Sequence, residues 1–143
     1  MKTILVGVDG SPGGQKALEF AAHEAGAHGA TLRLLSAWEV PASVLSGGGV
    51  PPELYENFEG EARKLLDAAI ARVQELEPSV TVEVRVAEGH PGNALVDATA
   101  EADLVVIGRR GRGGLAEFLL GSISHQVADH AKCPVVIVPW EKA

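Results

Sequence analysis

The chain predicts an α/β fold, an open five-stranded parallel sheet with helices on both faces. Two observations carry this. Short apolar runs alternate with amphipathic stretches through the whole length, in the order β-α-β-α-β-α-β-α-β, the pattern that puts strands in parallel and helices across them. The first and fourth apolar runs also end in glycine-rich turns, Asp9-Gly10-Ser11-Pro12 and Gly108-Arg109-Arg110-Gly111-Arg112-Gly113-Gly114.

Thr3 to Val8 is a continuous apolar run of the kind buried on both faces, and Pro12 sits where a helix would begin. Ala17, Leu18, Ala21, Ala22 and Ala25 form a stripe of small residues at helical spacing, which lets that helix lie close to a sheet. A second strand is expected over Thr31 to Trp38. Pro41 to Pro52, rich in Gly and Ser, reads as a mobile loop, followed by a long helix with Leu54, Phe58, Ala62, Leu65, Ala69, Val73 and Leu76 on one face. Val80 to Ala87 alternates valines with Glu83 and Arg85, the period of an edge strand with one wetter face. Pro91 opens a short helix through Glu101, Leu104 to Ile107 is the fourth strand, Ser122 to Ala131 a last helix, and Val135 to Val138 the fifth strand.

With 143 residues, 46% of them hydrophobic, one domain over residues 1–143 is expected, large enough to bury about 68 to 70% of its unfolded surface. Twelve basic against nineteen acidic residues leave a net charge of -7, which disfavours nucleic acid as the main partner because that binding rests on summed positive charge. Cys133 is the single cysteine, so no intrachain disulfide forms, and its place at a helix-to-strand junction suits a semi-buried residue better than a nucleophile. The apolar start is too short for a signal peptide and is cut by Asp9, and no run approaches a membrane span, so the cytoplasm is the expected compartment.

The functional signal is the spacing Gly108, two residues, Gly111, nine residues, Gly121, Ser122. A glycine turn after a strand offers unhindered N–H groups, the start of the next helix offers more, and arginines add positive charge, so phosphate is the natural guest. Only one of Arg109 and Arg110 can readily face a ligand while its neighbour faces solvent. In an open α/β sheet, ligands bind beyond the carboxyl ends of the strands where the strand order reverses. If strands 1 and 4 are neighbours there, the Asp9 turn faces the Gly108 turn. Asp9 then serves a ribose hydroxyl, a bridging divalent cation or an ordered water, or alternatively caps the following helix.

Other chemistries fit poorly. The phosphate-loop and dinucleotide spacings are missing. His23 and His28, like His125 and His130, are five residues apart and point about 140° apart on a helix, so surface histidines are expected there, and His90 reads as a loop residue. Neither Ser122 nor Ser124 lies in a nucleophile elbow, and helix capping by Ser122 is the better account.

These residues resemble the universal stress protein family end to end, from Ile4-Leu5-Val6-Gly7-Val8-Asp9-Gly10-Ser11 through the Gly108 segment and Leu120-Gly121-Ser122-Ile123-Ser124 to Cys133-Pro134-Val135-Val136-Ile137-Val138. The glycine pattern is similar to that of the ATP-binding subgroup. The resemblance implies a Rossmann-like sheet of the adenine nucleotide alpha hydrolase type, order 3-2-1-4-5, and a regulatory role in stress response. By it, Gly108 and Gly111 pass close to ribose and phosphate, Gly121 and Ser122 hold the phosphates, Asp9 lies near adenosine or a cation, and Ala37 meets adenine. Val8, Ser11, Arg109, Arg112, Gly113, Ile123 and Ser124 complete the implied site. The implied ligand is ATP, or AMP or ADP, with Mg2+ or Mn2+ accompanying it at Asp9. No catalytic residue is assigned, and ATP hydrolysis is slow at most. Homodimers are implied through strand 5, Val135, Val136, Ile137 and Val138, which would otherwise be an apolar edge. Two alternatives stay open: a dimeric scaffold that needs no nucleotide, and a cyclic AMP or AMP binder.

Overall fold

The computed structural model describes residues 1–45, 47, 49–109 and 120–139. Five strands, β1 (Thr3–Gly7), β2 (Thr31–Trp38), β3 (Val82–Glu88), β4 (Leu104–Gly108) and β5 (Val135–Val138), form one parallel sheet in the order β3-β2-β1-β4-β5. The helices are α1 (Pro12–His28), α2 (Ala42–Leu45), α3 (Pro52–Leu76), α4 (Pro91–Ala98) and α5 (Ser122–His130), with one 3-10 turn at Thr99–Glu101. The expected fold class and strand order are therefore those observed. Reversal falls between β1 and β4, which pair directly, Ile4 opposite Leu104 and Val6 opposite Val106.

Alternation along the strands divides the core in two. Ile4, Val6, Leu32, Leu34, Leu104 and Val106 face the alanine stripe of α1 and, on α3, Ala62, Leu66, Ala69 and Val73. Leu5, Leu35, Val105 and Ile107 face α4 and α5 through Leu95, Ala98 and Val127. Ala17, Ala21, Ala22 and Ala25 are at most 1% exposed, so the small residues let α1 lie close against the strands. Gly29 ends α1 in the left-handed region at φ 64°, where its N–H donates to the Ala25 carbonyl.

Several boundaries and faces differ from expectation. Pro41 to Pro52 is not all loop, since Ala42–Leu45 forms one helical turn, although none of its residues is buried. The core-facing leucine of α3 is Leu66 rather than Leu65, which is only partly buried. At 100° per residue Leu66 lies about 40° from Ala62 and Leu65 about 60° on the other side, and that difference decides which enters. Leu54 and Phe58 are also only partly buried. A helix of 25 residues runs about 37 Å, longer than strands of four to eight residues at about 3.3 Å per residue, so its first turns overhang the sheet. The helix expected to reach Glu101 is α at Pro91–Ala98 and tightens to 3-10 at its end. The last strand and helix match within a residue.

Edge position explains β3. It pairs with β2 on one side only, and Val84 is 45% exposed while Val82 and Val86 pack on the α1–α3 core. Its other face carries Glu83 and Arg85, with Arg33 of β2 bonded to Glu83 Oε2 at 3.0 Å. Charge along this edge discourages further strand addition.

Candidate functional site

The turn after β1 is held by its own polar atoms. Gly10 takes φ 77°, a left-handed conformation that favours glycine. Asp9 Oδ1 accepts from the Ser11 N–H at 2.9 Å and from the Ser11 hydroxyl at 2.6 Å. Ser11 Oγ in turn accepts from the Gly14 N–H at 3.0 Å, which makes Ser11 the N-cap of α1. The alternative role of Asp9 as helix cap is thus taken by Ser11, and Asp9 supports the cap from behind. Only one carboxylate oxygen is used in these bonds, and the other lies outside them.

The start of α1, which follows this turn, packs directly on the end of β4. A Cβ added to Gly108 would stand 2.7 Å from the Gly13 carbonyl oxygen and 2.8 Å from its carbon. The first turn of α1, which follows the Asp9 turn, is therefore in contact with Gly108, as the neighbouring of β1 and β4 requires. The same distances give Gly108 a reason to be glycine that spacing alone did not reveal: helix-to-strand packing.

Past Gly108 the backbone is pinned at both ends of the glycine-rich segment. The Arg109 N–H donates to the Val138 carbonyl and the Gly121 N–H to the Arg109 carbonyl, both at 2.9 Å. Ser124, 5% exposed, donates its hydroxyl to the Gly108 carbonyl at 2.6 Å. The segment thus leaves and returns at one point beside the ends of β4 and β5. Arg110, Gly111, Arg112, Gly113 and Gly114 lie outside the described residues.

At the return, Gly121 is the N-cap of α5, extended at φ -63° and ψ 161°, and offers no capping side chain. Capping by Ser122 is corrected accordingly: Ser122 is the first helical residue and is exposed. A helix start without a side-chain acceptor leaves its first N–H groups for another acceptor, and the helix dipole favours an anion there. Ile123 turns inward and packs on the α4–α5 core, so its backbone rather than its side chain is placed at this end. Val8 is 9% exposed and Ala37, near the end of β2, is partly buried.

Three features escaped the sequence reading. His90 is the N-cap of α4, its Nδ1 accepting from the Gly92 N–H at 3.1 Å. Trp38, at the end of β2, meets Tyr55 of α3 edge-on, ring centroids 6.0 Å apart. A groove of about 670 Å³ runs between β3 and α4, lined by Arg85, Glu88, His90, Asn93 and Asp97 among others. The remaining histidines are surface groups as expected: His23 pairs with Glu77, His28 with Glu24 and His125 with Asp129, all at 3.1 to 3.4 Å. Cys133 is half-buried, and burial, aided by the charge of Asp103, raises its pKa above the ordinary value. Among the described residues no group of three or more His, Cys, Asp or Glu is placed to hold a metal ion, and no helix is long and apolar enough to cross a membrane.

Comparison with known proteins agrees with this architecture. The model of the universal stress protein family matches residues 1–139. A universal stress protein of Mycolicibacterium smegmatis is 38% identical over 137 residues, covering 94% of this chain and 45% of the relative, so the chain spans about half the length of that protein. Among solved structures, a universal stress protein in complex with cAMP is 30% identical with a TM-score of 0.71, covering 98% of both chains. The universal stress protein from Archaeoglobus fulgidus in complex with dAMP is 25% identical with a TM-score of 0.68, covering 96% of this chain and 97% of that one. On the family match over nearly its whole length, and on the sheet order and turns that accompany it, this chain belongs to the universal stress protein family.

Proposed function

We propose that the chain is a regulatory adenine-nucleotide-binding protein, with ATP as its ligand, and that it forms homodimers through β5. The observation that carries the nucleotide reading is the start of α5, without a side-chain cap among the described residues, bonded through Gly121 to Arg109 beside the place where the start of α1 meets Gly108. The two solved relatives hold cAMP and dAMP, ligands that share an adenine and a phosphate. On this reading the N–H groups at the start of α5 and the turn at Gly108 and Arg109 hold phosphate, with Gly111, Arg112 and Gly113 contributing by sequence. Asp9, Val8, Ser11 and Ala37 meet the nucleoside. A Mg2+ or Mn2+ ion bound with the nucleotide would take Asp9 as its protein ligand and draw its other oxygens from phosphate and water. Hydrolysis is read as slow at most: Ser124 has its hydroxyl bonded to the Gly108 carbonyl, and among the described residues no base is set beside a nucleophile.

One observation favours the scaffold alternative, the packing of Gly13 on Gly108, which accounts for that glycine without any ligand. Two measurements separate the readings. Mass spectrometry under non-denaturing conditions should find adenine nucleotide on the purified protein, and calorimetry with ATP and ADP should give saturable binding, one per chain. No heat and no thermal shift at millimolar nucleotide would leave the scaffold.

A further inference from the structure

The first turn of α4 depends on one side chain. His90, its N-cap, accepts the Gly92 N–H on Nδ1 at 3.1 Å, Pro91 brings no N–H, and the turn holds no Asp or Glu to meet the helix dipole. Only a neutral ring can serve here. Its lone pair on Nδ1 is the acceptor, so the ring proton sits on Nε2, and a second proton would turn Nδ1 into a donor facing a donor. The added charge would also lie at the positive end of the helix.

The same turn ties α4 to α5. Gln126 Nε2 donates to Asn93 Oδ1 at 2.6 Å, and the Gln126 side chain fills the space beside Gly92, where an added Cβ would stand 2.8 Å from its Cδ. With only eight residues in α4, loss of the first turn removes a large part of the helix together with this tie. A protonated ring has another place to go. His90 lines the groove between β3 and α4 with Glu88 and Asp97, and neither carboxylate pairs with a cation among the described residues. Arg85, the groove's arginine, is committed to Glu101 at 3.1 Å. From α5 comes the uncharged Gln126, while His125 and Asp129 of that helix pair with each other at 3.4 Å.

We propose that His90 is a proton-operated cap. Neutral, it holds the first turn of α4 against α5; protonated, it releases Gly92 and turns its charge toward Glu88 and Asp97 in the groove. The two states are discrete because the cap demands an acceptor and the carboxylates demand a cation, and one ring cannot satisfy both. Histidine side chains ordinarily change charge between about pH 5 and 8, so the turn is built to open on mild acidification, and the tie to Gln126 loosens with it. The device needs no nucleotide and stands apart from the reading above.

NMR of the nitrogen-15-labelled, ligand-free chain over the same pH range tests this, with His90→Ser beside the wild type because serine caps without titrating. At the alkaline end the His90 ring should carry its proton on Nε2. On acidification the protection of the Gly92 N–H against exchange should fall by about fivefold or more, the worth of an ordinary cap, and the Gln126 side-chain amide signals should shift with the same midpoint as the ring. In His90→Ser both should stay flat. The double variant Glu88→Gln, Asp97→Asn should keep the cap at the alkaline end and release Gly92 only at lower pH. A ring protonated on Nδ1 at the alkaline end would overturn the proposal, as would Gly92 and Gln126 signals that stay fixed while the ring titrates, or that respond equally in His90→Ser. An unmoved midpoint in the double variant would overturn the turn toward the carboxylates.

Discussion

Gly108→Ala and Gly121→Ala should separate two glycines that the spacing motif treats alike. At Gly108 the added carbon would sit 2.7, 2.8 and 3.3 Å from the oxygen, carbonyl carbon and Cα of Gly13. All three are backbone atoms at the start of α1, and no side chain can swing away to make room. Either the end of β4 or the first turn of α1 has to move, and both are tied down, by the Ser124 hydroxyl on the Gly108 carbonyl and by the Ser11 cap. Overpacking of this kind costs about 1 to 3 kcal/mol. For a domain of this size that is a fall in Tm of roughly 2 to 4 °C per kcal/mol.

Gly121 stands in ordinary extended backbone, φ -63° and ψ 161°, open to any residue. Alanine there should lower Tm less than at Gly108, since the change strains no torsion at these angles. ATP affinity should nevertheless drop, because the methyl group lies where phosphate approaches the helix start. Thermal unfolding by circular dichroism and calorimetric titration of both variants form the assay. Unchanged stability in Gly108→Ala would show that the Gly13 contact imposes nothing, and an undiminished ATP affinity in Gly121→Ala would place the phosphates elsewhere.

Three further outcomes follow from single residues. Asp103 accepts the Thr3 and Lys2 N–H groups at 2.9 and 2.8 Å, and these bonds hold its carboxyl below the ordinary value of 3.8. A lowered folded-state pKa contributes stability that is present above the ordinary value and lost as pH falls through the folded one. The Tm difference between wild type and Asp103→Asn should therefore be constant near neutrality and shrink below about pH 4, and a difference that grows on acidification would contradict the assignment. Leu66→Ala should cost about 2 to 5 kcal/mol in urea unfolding and Leu65→Ala clearly less, since Leu66 is 2% exposed and Leu65 only partly covered; the reverse order would mean α3 is rotated. Cys133, with its pKa raised by burial, should react with iodoacetamide at neutral pH much more slowly in the folded chain than in urea, and equal rates would show an exposed thiol.

What the sequence made legible divides along a physical line. The central strands announce themselves because they are buried on both faces, so Ile4-Leu5-Val6 and Val105-Val106-Ile107, each at most 6% exposed, leave no polar gap. The alanines of α1 likewise declare a helix that must lie close. Choices between near-equivalent neighbours were not legible. Asp9 and Ser11 are both good caps, and only the placement of the Gly14 N–H assigns the role to Ser11. Leu65 and Leu66 differ by a modest rotation about α3. His90 caps α4 through a ring nitrogen, a use of histidine that the preference for Ser, Thr, Asp and Asn does not suggest.

The site shows the same division more sharply. Spacing located the segment between Gly108 and Gly121, because a strand, a glycine turn and a helix start have to follow one another in sequence. It could not say why each glycine is there, since that depends on what lies opposite in space. Gly13 lies opposite Gly108, and it comes from α1, almost a hundred residues earlier in the chain. Placing α1 there requires β1 beside β4, so the contact is a consequence of the sheet order. Glycine at 108 serves the assembly of the turns, and glycine at 121 falls at the open start of α5. A motif written as one pattern therefore contains two demands, one made by the fold and one by the proposed ligand, and only the second should follow nucleotide binding when each is changed.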